Sequence, residues 1–251
     1  MKATGRQLRI RKVLESQEFV DLETLCRQLD ASESSIRRDL SELEQQRVLK
    51  RVHGGALAIK PRDQLLDFSW QSTRNASEKQ RIARLAATLV EDGQTVILDG
   101  GSTTAAVAAE LANRSLNIIT NSLAIAEIFK NSRQIEVTLT GGYLYPRLEI
   151  MLGPLCENTL AGVAADVLIM GIGGVTEAGL SNNNTLLVGS ERKMIDVSRQ
   201  VMIVADHTKF GKPAMVHLAP LAIVDMVVSD TDLVAEHRQM LESKDIRVLL
   251  A

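Results

Sequence analysis

From residue 95 onward, short apolar runs alternate with helix-forming stretches, and most runs end in a loop of glycine and small polar residues. TVILD (95–99) leads into GGSTT and then AAVAAEL. NIIT (117–120) leads into NSLAIAEIF, and VTLT (137–140) into Gly141-Gly142. VLIMG (167–171) precedes Ile172-Gly173-Gly174, and VMIVAD (201–206) precedes HTKFG. VDMVVSD (224–230) and IRVLL (246–250) close the series. Short buried strands separated by helices predict a parallel, doubly wound α/β sheet. Ligands of such sheets bind at the carboxyl ends of the strands.

The first sixty residues follow a different period. Leu8, Ile10, Val13 and Leu14 mark a first helix. Asp21 is placed to cap a second one, whose Leu22, Leu25, Cys26 and Leu29 recur at i, i+3, i+4 and i+7. After the turn Asp30-Ala31-Ser32 comes a third helix with Ile36, Leu40 and Leu43 inward and Ser32 as its cap. Its first turns then present Ser32, Ser34, Ser35, Arg37 and Arg38 away from the core. A strand from Val48 to Val52 and the turn His53-Gly54-Gly55 predict a wing carrying Arg51 and His53. In a winged helix-turn-helix the start of the third helix enters the major groove. Hydroxyls and guanidinium groups there bond phosphates or base edges, guanine above all. Arginines alone solvate many ordinary helices; the caps, short turn, basic first turns and Gly-Gly wing together point to DNA.

Charge agrees in sign. Residues 1–60 hold 12 Lys+Arg against 9 Asp+Glu, and the remainder holds 17 against 22. Aromatics make up only 3% of the chain, too few for platforms that stack single-stranded bases. Cys26 and Cys156 are far apart and predict neither a disulfide nor a metal site, and Cys26 falls on a buried helix face. His53, His207, His217 and His237 lack metal-ligand spacing. No signal peptide and no membrane span are expected, so the protein is read as cytoplasmic.

The loop Asp99-Gly100-Gly101-Ser102-Thr103-Thr104 closes a strand and opens a helix. Its glycines allow a sharp turn, and the exposed N–H groups with the Ser102, Thr103 and Thr104 hydroxyls suit an anion. It lacks the lysine of a nucleotide-binding P-loop and the full dinucleotide fingerprint, so a single phosphate fits better. Thr120, Asn121, Gly141, Gly142, Gly173, Gly174, Asp206 and Lys209 fall at the other strand ends, as a small polyhydroxylated ligand requires. Asp99 is positioned to accept sugar hydroxyls, and Lys209 to neutralise a phosphate.

SSIRRDLSELEQQRVLKRVHGGA resembles the signature of the DeoR family of bacterial transcriptional regulators, with Ser35 in place of a common threonine and Arg47 in place of a common glycine. LDGGSTT, ITNS, GIGG with AGL, and ADHTKFG resemble the same family's sugar-phosphate-sensing domain. DHTKFG followed by Pro213-Ala214-Met215 leans toward its glycerol-3-phosphate repressor branch. The resemblance implies a ribose-5-phosphate-isomerase-like fold and a phosphorylated sugar or polyol as effector. Many members carry an acid where this chain has Leu186-Leu187-Val188-Gly189, and here the next acid is Glu191.

These readings predict a winged helix-turn-helix over 1–58, a linker over 59–76 in which Phe68 and Trp70 dock, and an effector-binding and oligomerisation domain over 77–251. The expected function is DNA-binding regulation, as a repressor of carbohydrate genes. The expected partners are a double-stranded DNA operator, a phosphorylated sugar or polyol and a second copy of the chain, as a dimer or tetramer. No cofactor or metal is expected. The alternatives are a sugar-phosphate isomerase-like enzyme fused to a DNA-binding module, which the missing acid near Leu187 weakens, and a DNA-binding scaffold with a degenerate pocket.

Overall fold

The computed structural model describes residues 3–16, 19–46, 48–52, 54–58 and 68–251. They form two compact units, Met1–Thr73 and Arg74–Ala251.

The first unit contains α1 (Ala3–Ser16), β1 (Phe19–Asp21), α2 (Leu22–Leu29), α3 (Glu33–Gln45), β2 (Leu49–Val52), β3 (Gly55–Ala58) and α4 (Phe68–Thr73). The helical periodicity is realised: Ile10 and Leu14 of α1, Leu25 and Leu29 of α2, and Ile36, Leu40 and Leu43 of α3 form one core with Val20, Leu49 and Ala56. Asp21 caps α2, its Oδ1 accepting from the Thr24 N–H at 2.7 Å. Ser32 occupies the cap position of α3, but its side chain accepts no backbone N–H. The hydroxyl instead lies 3.2 Å from Ser34 Oγ and 2.9 Å from Ser35 Oγ, which corrects the capping role expected of it.

β1 was not foreseen, since three residues are too few to show an alternating pattern. It pairs with β3, giving a three-stranded antiparallel sheet in the order β1-β3-β2. Both glycines of the wing turn have structural reasons. Gly54 has φ +82°, and a Cβ on Gly55 would lie 2.3 Å from the Val20 carbonyl oxygen. His53 and Arg47 lie outside the described residues, as does 59–67 of the expected linker. The rest of that linker is not irregular: Phe68–Thr73 is helical, and the next helix already begins at Ala76.

The second unit is built on seven parallel strands in the order β15-β14-β12-β9-β4-β5-β6. These are β4 (Thr95–Leu98), β5 (Leu116–Thr120), β6 (Ile135–Leu139), β9 (Ala165–Met170), β12 (Ser198–Val204), β14 (Met226–Ser229) and β15 (Arg247–Leu250). Alternate residues serve opposite faces. Val96, Leu98, Val167, Ile169, Met202 and Val204 pack beneath α5 (Ala76–Ala87), α6 (Ser102–Leu111) and α7 (Leu123–Phe129). Ile97, Leu168, Met170, Val201 and Ile203 pack against α8 (Pro154–Ala161), α9 (Thr185–Asp196) and α10 (Ala235–Glu242). With both faces covered, the central strands read as unbroken apolar runs.

Five further strands beside β1 have no counterpart in the sequence pattern. β7 (Tyr143–Tyr145) and β8 (Ile150–Leu152) form a hairpin; β10 (Gly174–Thr176) and β11 (Gly179–Asn182) join β13 (Val216–Ala219), also unforeseen, in a small antiparallel sheet. From β4 the chain winds outward through β5 and β6. It then returns to the other side of β4 as β9 and winds the opposite way through β12, β14 and β15. The order therefore reverses between β4 and β9. In wound sheets the loops after the two strands at such a reversal diverge, and the crevice between them is where ligands are held.

Candidate effector site and nucleic-acid interface

In the first unit, Ser32, Ser34, Arg37, Arg38 and Arg51 are exposed and Ser35 is half-buried. The first five of the α3 set lie within seven consecutive residues, so α3 alone presents them. Arg37 is held by Glu33 one turn earlier, Nε donating to Oε1 at 2.7 Å. No ion pair of Arg38 appears among the described residues. The Arg51 N–H donates to Glu44 Oε1 at 2.7 Å, tying the wing to α3. Asp39, 1% exposed, is ion-paired with Arg6 and locks α1 against the recognition helix. That buried carboxylate lies beside the apolar stripe and is structural. The surface that remains is short, basic and hydroxyl-rich, the chemistry that meets duplex DNA.

In the second unit, β4 delivers Asp99 to the crevice and α6 starts at Ser102. The Asp99 N–H donates to the Ile169 carbonyl of β9 at 3.1 Å, fixing the loop to the strand across the reversal. Asp99 is 3% exposed. Burial pushes its carboxyl up to about 7, against the opposing pull of the Gly100 N–H. Within Coulombic reach is Glu191 on α9, 2% exposed. Burial first and the Asp99 charge second raise it well above the usual carboxylate range, against a hydrogen bond that Asn182 Nδ2 donates to Oε1. Glu191, the next acid after Leu186-Leu187-Val188-Gly189, lies one helical turn beyond Leu187 on the same helix.

A cationic group lies at the other end of the same loop. Lys79 of α5 is 7% exposed and donates to Ser102 Oγ at 2.9 Å. Burial lowers its ammonium to about 8; Asp206 opposes the shift, while Lys209 and Arg74 add to it. Lys209 is lowered too, by burial first, with Asp206 opposing. Burial alone would raise Asp206, but the Thr208 hydroxyl and Lys209 outweigh it and hold it below the usual range. Lys79 and Lys209 are therefore within electrostatic reach of each other and of the Asp206 carboxylate. Cations so crowded and desolvated gain from an added anion.

The other expected residues separate into two sets. Gly101, Ser102, Thr103 and Thr104 form the turn and first helical residues; Thr103 is buried, and Thr104 Oγ1 donates to the Gly101 carbonyl at 2.8 Å. Asn121 is 1% exposed and its Oδ1 has no hydrogen-bond partner among the described residues. Thr120, by contrast, spends its hydroxyl inside the fold, donating to the Leu98 carbonyl at 2.7 Å and accepting from the Ser122 N–H at 3.1 Å. Gly142 admits the β7–β8 hairpin, since a Cβ there would lie 2.6 Å from the Leu152 carbonyl oxygen; Gly141 beside it has φ +71°. Gly173 and Gly174 admit the small sheet, where Cβ atoms would lie 2.9 Å from Asn182 Oδ1 and 2.3 Å from the Lys212 carbonyl oxygen. Packing accounts for Gly142, Gly173 and Gly174.

Lys79 and Glu191 were missed, yet each carried a signal. Lys79 precedes Ile82, Ala83 and Ala86 at i+3, i+4 and i+7, and Glu191 sits among Leu187, Val188 and Met194 at the same spacing. A charge in register with a buried stripe is rare unless it is paired or functional. His207, Asp230 and Asp232 also bring possible metal-ligand atoms within 4.8 Å of one another. Asp230 already accepts from the His207 N–H at 2.8 Å and the Asp232 N–H at 3.0 Å, with His207 Nδ1 2.9 Å away. These bonds account for its burial without an ion.

A DNA-facing helix unit joined to a wound sheet with a two-ended polar crevice defines a ligand-responsive regulator. Residues 6–62 match the DeoR-like helix-turn-helix domain, and residues 74–231 match the DeoR C terminal sensor domain. The chain is 34% identical over 252 residues to the glycerol-3-phosphate regulon repressor of Escherichia coli (strain K12), covering 100% of both chains. It is 35% identical over 227 residues to the HTH-type transcriptional regulator GolR of Listeria innocua, covering 90% of this chain and 89% of that one. A ribose 5-phosphate isomerase from Methanocaldococcus jannaschii aligns over 54% of this chain and 55% of its own, with a TM-score of 0.40 and 20% identity. The chain belongs to the DeoR family of transcriptional regulators, whose named relatives here are regulators and not enzymes. Among the described residues, no helix is long and apolar enough to cross a membrane.

Proposed function

We propose that this protein is a cytoplasmic repressor of carbohydrate-metabolism genes, released from its operator by a phosphorylated sugar or polyol. The observation that carries the reading is the pair of desolvated lysines, Lys79 and Lys209, beside Ser102 and the start of α6 at the reversal of the sheet. A phosphomonoester dianion relieves their mutual repulsion and takes hydrogen bonds from the loop N–H groups. The name of the Escherichia coli relative, a glycerol-3-phosphate regulon repressor, supports an effector of this class.

On the DNA side, Arg38, Ser34 and Ser35 of α3 reach bases or phosphates, and Arg51 of the wing reaches the backbone. A repeated or palindromic operator calls for a homo-oligomer, a dimer or a tetramer. Effector binding acts by favouring one arrangement of the DNA-binding units over another, through differential affinity for the two.

The test is a gel-shift titration of the full chain on promoter fragments near its own gene, with a panel of phosphorylated sugars and polyols. One or more members of the panel should release the DNA. Thr103→Val should retain DNA binding while requiring more effector for release. Release of the variant at unchanged effector concentration would remove the GGSTT loop from the anion site.

A further inference from the structure

The cationic cluster accounts for only one end of the crevice. At the other end, Asp99 and Glu191 are buried, 3% and 2% exposed, and burial first and the Asp99 charge second raise the cost of ionising Glu191. Two acceptors near them have no partner among the described residues: Glu191 Oε2 and Asn121 Oδ1. Asn121 Oδ1 points at the loop itself, 3.4 Å from where a Cβ on Gly100 would stand. A buried oxygen left without a partner costs about 1–3 kcal/mol, so such a group in a native fold calls for a partner that arrives from outside.

Resting on the phosphate reading above, we propose that the site is two-ended: Lys79, Lys209 and Ser102 hold the phosphate, and Asp99, Glu191 and Asn121 accept an uncharged, hydroxyl-bearing tail while rejecting a carboxylate. The chain therefore responds to phosphorylated polyols and sugars and not to phosphorylated sugar acids or glyceric acids.

Three features carry this. The two ends are close: Asp99 and Ser102 are three residues apart, at most about 10 Å along the chain, which one short phosphorylated carbon chain spans. The ends differ in sign, since Lys79 is attracted by Asp206 and the causes acting on the two acids include no cation. A hydroxyl both donates and accepts, so it satisfies Glu191 Oε2 and Asn121 Oδ1 whether or not the acid pair retains a proton. A carboxylate only accepts. It meets like charge when the pair is ionised and leaves Asn121 Oδ1 without a donor in every state.

The experiment is calorimetric titration of the full chain with two matched pairs, glycerol 3-phosphate against 3-phosphoglycerate and fructose 6-phosphate against 6-phosphogluconate, with inorganic phosphate as the reference. Within at least one pair the hydroxyl-ended compound should bind tenfold or more tightly than its carboxylate-ended mate. Glu191→Gln should reduce that ratio at least threefold while inorganic phosphate binds as before. Equal or tighter binding of the carboxylate-ended mates overturns the proposal and leaves the phosphate reading standing. A ratio unchanged in a folded Glu191→Gln removes Glu191 from it. If neither inorganic phosphate nor any of the four binds, the phosphate reading itself falls, and this one with it. The ratio in the unsubstituted protein decides the matter even if the variant does not fold.

Discussion

The two units keep their chemistry in opposite places. In the helix-turn-helix unit the side chains proposed to meet DNA are exposed and close in sequence: Ser32, Ser34, Arg37 and Arg38 lie at the start of one helix. The fold's task there is to present them, and the partner, a dense line of phosphates, supplies most of the affinity. In the sensor unit the working groups are buried and dispersed. Lys79, Asp99, Asn121, Glu191 and Asp206 come from five segments and are between 1% and 7% exposed. Burial makes each an energetic liability until a ligand meets it. The exposed set is therefore built for association without cost to stability, and the buried set for discrimination at some cost to stability.

The strongest test of that contrast is pH. The folded chain binds the Asp99 proton more tightly than the unfolded chain does, with the carboxyl raised to about 7 from an ordinary value of 3.8. Stability of the sensor unit should fall as pH climbs from about 4 to about 7 and level off above. Asp99→Asn removes the ionisation. It should match the parent near pH 4 and be the more stable protein at pH 8, by an amount on the order of a few kcal/mol. Thermal melts of both proteins across that range check this; parallel curves would show that burial does not govern the group.

A substitution in the other unit should leave the sensor untouched. Gly55→Val drives a side chain into the Val20 carbonyl and the Asp21 backbone. Overpacking of this kind costs about 3 kcal/mol, enough to disorder a small unit. DNA retardation should be lost, while the effector-induced rise in melting temperature persists. Loss of both would mean that the units do not fold separately.

Next in size is Arg38→Ala, expected to weaken operator binding by about 1–3 kcal/mol, or roughly 5- to 150-fold at matched salt, if the guanidinium reads a base. Arg37→Ala should cost less, because Arg37 already spends its guanidinium on Glu33. Equal losses at the two positions, both vanishing at high salt, would reassign Arg38 to a phosphate.

The same contrast explains what could be read without coordinates. The recognition helix and wing were legible because their residues are contiguous and their spacing is local. The wound sheet was legible because doubly buried strands are uniformly apolar. The strand order was not, since pairing of β9 with β4 joins Leu168 to Ile97 across seventy residues without any local mark. β1, β7, β8, β10, β11 and β13 were missed because strands of three or four residues show no period. Asp99 and the GGSTT loop stand out in the sequence by their place at a strand end. Lys79 and Glu191 are harder to see, because each sits among the apolar members of a helix stripe. At Gly173 and Gly174 the glycines mark a close approach by the protein's own atoms, Asn182 Oδ1 at one and the Lys212 carbonyl at the other.

The smallest effects separate a cap that works from one that only resembles it. Asp21 and Ser32 both precede a helix and both adopt extended backbone. Asp21 accepts the Thr24 N–H, and that hydrogen bond holds its carboxyl below the usual range. The Ser32 side chain accepts no backbone N–H and turns its hydroxyl toward Ser34 and Ser35 instead. Asp21→Ala should therefore destabilise the DNA-binding unit by about 1 kcal/mol, the ordinary worth of a working cap. Ser32→Ala should cost a few tenths, roughly what an exposed hydroxyl contributes to an unbound surface. Its larger consequence should appear only with DNA present, as weaker operator binding, because a hydroxyl released from capping is available to a phosphate. Chemical denaturation of each variant, read beside its gel shift, checks the pair. If Ser32→Ala costs as much stability as Asp21→Ala, the serine caps α3 in solution and its place in the interface goes with it.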